Sequence, residues 1–151
     1  MNNSTSYWLK KGIHNGMPIA LGYLAVSFTL GIAAKNAGLT ALQAALASIT
    51  CHASAGEFAG FTLIAALAAY TEIAVMELII NARYFLMSCA LSQKLDNKMP
   101  FFHRLIMGLF VTDEIFGLTV SVPEKLNPAY MYGMVLVASP AWVLGTYFGV
   151  L

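Results

Sequence analysis

The stretch from Leu39 to Ala69 is apolar along most of its length, yet it is too long to cross a bilayer once and too short to cross it twice, because a helical span takes about 20 residues. Its centre reads Cys51-His52-Ala53-Ser54-Ala55-Gly56-Glu57-Phe58. A continuous helix would hold His52, Ser54 and Glu57 in hydrocarbon. Two short helices meeting at Ser54 to Gly56 would instead gather a non-helical turn and its loose backbone groups at one internal place. Irregular backbone at that depth is tolerated only where protein or a watery cavity surrounds it. The pattern predicts a broken or hairpin-like segment over 39–69. Ionisable groups at bilayer depth are costly, so by default they mark a route for ions or solutes.

Four further apolar runs are long enough to span, at about 13–34, 71–92, 101–120 and 129–151. With 59% hydrophobic and only 10% charged residues in 151, the expected fold class is an all-α integral membrane protein, a multi-span helical bundle forming one transmembrane domain over 1–151. A net charge of +1, with charges between or within apolar runs, excludes a nucleic-acid partner and leaves the lipid bilayer as the main surroundings. Cys51 and Cys89 read as small packing residues, and no metal motif, nucleotide loop or cofactor box is visible. The apolar run after the polar start is too long for a signal-peptide core, so the first helix is expected to be retained.

Basic residues suggest the orientation. Lys10 and Lys11 precede the first span, and Lys94, Lys98, His103 and Arg104 cluster after the third, so the positive-inside rule places both regions in the cytoplasm of a multi-pass inner-membrane protein. An even number of crossings must separate them, which a broken 39–69 segment provides. Short turns are expected at Lys35–Gly38, at Asp96–Pro100 and at Pro123–Pro128. The last run reaches Leu151 without a polar flank, which reads as the N-terminal portion of a longer transporter.

Within these spans a set of residues invites chemistry. Gly16, Pro18 and Gly22 could bare backbone groups to a solute, although tight helix packing with a proline kink explains them too. Gly56 and Gly60 form a small-xxx-small pair, as do Gly145 and Gly149, where helices could cross closely. Packing accounts for the glycines but not for Glu57, which needs a partner, water or a protonation role. Glu77 and Asn81 share a helix face one turn apart. Arg83 has Glu57, Glu77, Asp113 and Glu114 as possible counter-charges, and the pattern does not choose among them. Asp113 and Glu114 are adjacent and point about 100° apart, so one could bind Arg83 while the other lines a path. Glu72 reads as an interfacial, solvated group. The candidate substrate-binding residues are Gly16, Pro18, Gly22, Ser54, Gly56, Glu57 and Asn81. The candidate coupling or ion-pair residues are Glu57, Glu77, Arg83, Asp113 and Glu114.

The strings Gly16-Met17-Pro18-Ile19-Ala20-Leu21-Gly22-Tyr23, Ala55-Gly56-Glu57-Phe58-Ala59, Asn81-Ala82-Arg83-Tyr84-Phe85-Leu86-Met87, Thr112-Asp113-Glu114 and Trp142-Val143-Leu144-Gly145-Thr146 come in the order and register of one family. Together they resemble the AzlC family of bacterial branched-chain amino acid permeases, along nearly the whole chain. The resemblance implies a secondary transporter exporting branched-chain amino acids across the inner membrane, paired with a small AzlD-type subunit. It also implies Gln where this chain has Glu57, His where it has Tyr84 and a second proline where it has Ala25. Glu57 thus adds a titratable group to the family pattern.

Two other readings compete with transport. A non-transporting or truncated membrane subunit would fit the abrupt end. An intramembrane hydrolase would use Ser54 with His52, but a nucleophile needs a base within hydrogen-bond reach, and His52 lies two residues away.

Overall fold

Helix-breaking chemistry divides this chain at the places where apolar periodicity stops. The computed structural model describes residues 4–123 and 125–151. It contains, among them, α1 (Thr5–Asn36), α2 (Ala41–Cys51), α3 (Ser54–Ala65), α4 (Tyr70–Ser92), α5 (Phe101–Leu109), α6 (Asp113–Val120) and α7 (Pro128–Val150). The helices α1, α4 and α7 are long and apolar enough to cross a membrane. The other four are each well short of a span. In α4 the exposed faces of Leu78, Ile79, Phe85 and Leu86 would be unfavourable in water and suit lipid.

The connections follow from local residue types. Gly38 takes φ +80, and the amides of Gly38 and Leu39 bond back to the carbonyls of Lys35 and Ala34, closing α1 with a Schellman turn at the glycine expected there. Thr40 and Gln43 then cap α2 reciprocally. The 39–69 segment is indeed broken, at His52 and Ala53. His52 adopts the left-handed φ of 40 and Ala53 is extended, so α2 ends and α3 restarts within two residues. The sequence had put the turn at Ser54 to Gly56, but those residues form the first turn of α3. At the α4 start, exposed Glu72 accepts from the Ala69 amide, capping the helix rather than entering the interior.

The run 101–120, read from sequence as one span, is two helices. Phe110 and Val111 leave helical geometry, and the Thr112 side chain accepts from the Ile115 amide to start α6. A threonine followed by two acids is an N-cap signature inside an apolar run. The turn expected at Pro123–Pro128 includes Glu124, which lies outside the described residues. Pro100 caps α5 and Pro128 opens α7.

The chain forms two compact units, each discontinuous in sequence. One comprises residues 1–19 and 83–138, and its core is Leu91, Leu95, Met107, Val111, Ile115 and Met131 with their neighbours. In it the start of α1 crosses α7 at Gly12 and Gly133, whose missing side chains make room for the Tyr130 and Leu9 carbonyls. The other comprises residues 20–82 and 139–151. There Gly145 and Gly149 of α7 face Ser27, Phe28 and Gly31 of α1, a close crossing of the kind their spacing suggested.

Candidate functional site

The helix break lies in the second unit, and most of that unit's buried polar side chains converge beside it. Glu57, in the first turn of α3, is 2% exposed. Its Oε1 accepts from the indole Nε1 of Trp142 on α7 at 2.5 Å, and its Oε2 lies 2.7 Å from the Ser48 hydroxyl of α2. Ser48 Oγ is also 2.8 Å from Thr146 Oγ1, one turn beyond Trp142. Thr146 in turn reaches the Trp142 carbonyl at 3.3 Å. Ser48 and Thr146 are both fully buried.

Three rings stand around this group. Trp142 packs edge-on to Tyr23 of α1 with centroids 5.0 Å apart, and His52 lies 6.0 Å from Trp142 and 6.4 Å from Tyr23. His52 Nε2 is 3.2 Å from the Ser139 hydroxyl. Edge-to-face rings place positive ring edges on neighbouring π faces, a contact worth about 0.5–1.5 kcal/mol beyond burial. The cluster thereby fixes the indole that donates to Glu57.

A second carboxylate approaches α3 from another side. Glu77 Oε2 accepts from Asn81 Nδ2 at 2.8 Å and lies 3.7 Å from Cys51 Sγ. It reaches this position because Gly56 and Gly60 have no side chains. A Cβ on Gly56 would be 2.7 Å from Glu77 Oε2, and one on Gly60 would be 3.0 Å from Oε1. The small-xxx-small pair of α3 therefore seats a carboxylate. Asn81 Oδ1 is buried without a hydrogen-bond partner among the described residues.

Of the residues singled out from sequence, Gly56, Glu57, Glu77 and Asn81 come together here. Ser54 is exposed and opens α3, and its hydroxyl makes no hydrogen bond among the described residues. The base–nucleophile pair that a hydrolase would need is thus not formed. Gly22 is exposed with open space beside it. In the other unit Gly16 is packed against Met134 and Val137, a helix-packing position, and Pro18 is exposed within α1. Arg83 takes Asp113 as its counter-charge at 3.0 Å and donates to Tyr84 Oη at 3.2 Å. Both side chains of the pair remain over 40% exposed. Glu114 is exposed too.

Sequence reasoning missed Ser48, Trp142, Thr146, Tyr23 and Ser139, and read Cys51 as mere packing. One signal was available: Trp142 and Thr146 are one turn apart and both carry a polar handle in an otherwise apolar helix, so they share a face that needs a partner.

The AzlC protein family profile matches residues 18–151. The chain belongs to the AzlC family. It is 34% identical over 148 residues to an uncharacterized membrane protein of Archaeoglobus fulgidus, covering 98% of this chain and 64% of that one. Inner membrane protein YgaZ of Escherichia coli is 22% identical, with 92% of this chain and 58% of YgaZ covered. An uncharacterized membrane protein of Helicobacter pylori J99 is 26% identical, covering 93% of this chain and 62% of that protein. This AzlC-family chain thus spans between 58% and 64% of the length of these relatives. No solved structure matches it significantly. Like those relatives, it is a membrane protein.

Proposed function

We propose that this chain is the solute-handling part of a secondary transporter that exports branched-chain or similarly small apolar amino acids across a bacterial inner membrane, coupled to a proton gradient. In this reading its N-terminus is cytoplasmic and its partner is an AzlD-like small membrane subunit. Amino acid transport is the activity to which the family is linked. The observation that carries the reading is the carboxylate pair beside the broken helix. Glu57 and Glu77 are held by neutral donors, and no Lys or Arg pairs with either among the described residues.

An acidic site answered only by neutral groups suits a positive guest, either a proton or an ammonium. Glu77 and the unpartnered Asn81 Oδ1 offer acceptors to an α-ammonium. The first amides of α3, at Ser54, Ala55 and Gly56, begin a helix whose Ala53 cap supplies no side-chain acceptor. Such an end suits a carboxylate, as at the interrupted helices of other transporters. A zwitterion could bridge the two, leaving its side chain to the apolar surroundings. Arg83 and Asp113 neutralise each other and are given no contact with solute.

The test is export from vesicles holding the chain, with and without an AzlD-like subunit, loaded with labelled leucine, isoleucine, valine or methionine. A proton gradient is expected to accelerate loss of at least one. Equal retention of all four, with and without gradient and partner, would reject the proposal in favour of a non-transporting subunit.

A further inference from the structure

In the unit that holds residues 83–138, the path of α5 and α6 can be followed against α4, residue by residue. Arg104, in the first turn of α5, donates to the Asp96 carbonyl just beyond the end of α4. Gly108, one turn further on, lies beside Ser88, whose hydroxyl would be 3.7 Å from an added Cβ. Asp113, the first residue of α6, pairs with Arg83 at 3.0 Å. There the path reverses. Past the end of α6 the Val122 carbonyl accepts from Lys94 Nζ at 2.6 Å, and the Leu126 amide donates to the Lys94 carbonyl at 2.9 Å. The start of α5 and the end of α6 thus lie at one end of α4, and the break between them lies level with Arg83. Arg83 precedes Ser92, the last residue of α4, by nine residues, or about 14 Å along the helix. That is close to the middle of a hydrocarbon layer roughly 30 Å thick.

The two arms differ in what they expose. From α5 come Phe101, Phe102, Leu105 and Leu109, which suit lipid. From α6 and its C-cap come Asp113, Gly117 and Ser121, one turn apart, with open space beside Gly117. The opposite side of α6 turns Ile115 and Thr119 inward. A glycine, a serine and an ion pair over 40% exposed do not suit hydrocarbon. Charges at that depth face protein or water, and so does backbone that leaves the helix there, as at Phe110 and Val111.

We propose that α5 and α6 form a re-entrant hairpin, and that the Asp113–Gly117–Ser121 face lines a water-filled vestibule. The vestibule opens at the Lys94 end and reaches the Arg83–Asp113 pair at mid-bilayer. Its water solvates that pair, which therefore stays half-exposed without meeting lipid. The α5 arm is the lipid-facing side of the same hairpin. Two lysines fasten the returning end: Lys94 binds the Val122 carbonyl, and Lys125 binds those of Gln93 and Leu95. Neither lysine enters the vestibule. The inference needs only that the chain is embedded in a membrane. It is tested without any amino acid, so it stands or fails apart from the transport reading.

The experiment is thiol labelling of the full chain in sealed membrane vesicles of either orientation, with Cys51 and Cys89 replaced by Ala. The probe is a membrane-impermeant methanethiosulfonate carrying a trimethylammonium group. It reacts with thiolates, which form in water and not in lipid. Gly117→Cys on α6 and Leu109→Cys on α5 place a thiol at similar depth, each within about 8 Å of the Arg83 level. Gly117→Cys should react at least about tenfold faster than Leu109→Cys, because only its thiol can ionise. It should do so only from the side that labels Lys98→Cys, in the exposed loop before α5. Equal rates for Gly117→Cys and Leu109→Cys would overturn the vestibule. Labelling of Gly117→Cys from the side opposite to Lys98→Cys would overturn the re-entrant path. If Gly117→Cys does not fold, Glu114→Cys, exposed in the first turn of α6, takes its place and is read in the same way.

Discussion

A single methyl group on Gly56 is the sharpest probe of the Glu77 seat. In Gly56→Ala the new Cβ would lie 2.7 Å from Glu77 Oε2, 3.0 Å from Cys51 Sγ and 3.1 Å from Asn81 Nδ2. Carbon and oxygen in contact need roughly 3.3 Å or more, so the carboxylate must retreat by about half an ångström. It is the end of a flexible side chain and can do so cheaply in strain, but only by loosening its bonds to Asn81 and Cys51. Hydrogen bonds to a charged group contribute about 1.5–3 kcal/mol, and partial loss should therefore weaken solute binding roughly tenfold. Stability should change little, because a glycine in the first helical turn gains only part of the roughly 1 kcal/mol that Ala brings to a helix interior, and the displaced carboxylate is flexible. Gly60→Ala is the graded comparison: its Cβ meets only Glu77 Oε1, at 3.0 Å, so its effect should be smaller. The assay is isothermal titration of branched-chain amino acids to the chain in nanodiscs, with melting followed in parallel. Wild-type affinity in Gly56→Ala, or a larger loss in Gly60→Ala, would refute the seating argument.

Two further substitutions test the frame around the site. Gly149→Val drives a side chain into the Phe28 carbonyl and Gly31 of α1 and should destabilise by about 1–3 kcal/mol, whereas Gly117→Ala, with open space around it, should be neutral or slightly stabilising; thermal unfolding in detergent that ranks them the other way would contradict the close crossing. Arg83→Met and Asp113→Asn should be non-additive, the double variant losing less than the sum of the two single losses by up to about 1 kcal/mol because both side chains are over 40% exposed; a double-mutant cycle of unfolding in vesicles that shows strict additivity would contradict the pairing.

Much of this architecture is legible because it rests on length and local chemistry. An apolar stretch of awkward length announced the break between α2 and α3, and Gly38 announced the end of α1. The second break was missed because nothing in the length of 101–120 demands it. The Thr112-Asp113-Glu114 string was read for its charges, whereas the structure uses Thr112 as a cap. The pairing of Glu77 with Asn81 was visible from one-turn spacing, since both lie on α4. The partners of Glu57 were not, because Ser48 and Trp142 come from two other helices, 9 and 85 residues away.

The two breaks also differ in a way that bears on function. At the start of α6 the Thr112 side chain answers an amide of the first turn, so that helix end is already satisfied locally. At the start of α3 the cap position is Ala53, whose methyl group offers no hydrogen-bond acceptor, and the residues that follow are Ser54, Ala55 and Gly56. Evolution of a purely structural turn would favour Ser, Thr, Asp or Asn at that position, for about 1 kcal/mol of stability. The missing cap makes physical sense if the amides of α3 serve a carboxylate that comes and goes. Replacing buried Ala53 with the neutral Ser should then cap α3 yet weaken solute binding in the nanodisc titration, and wild-type affinity in Ala53→Ser would refute this use of the helix end.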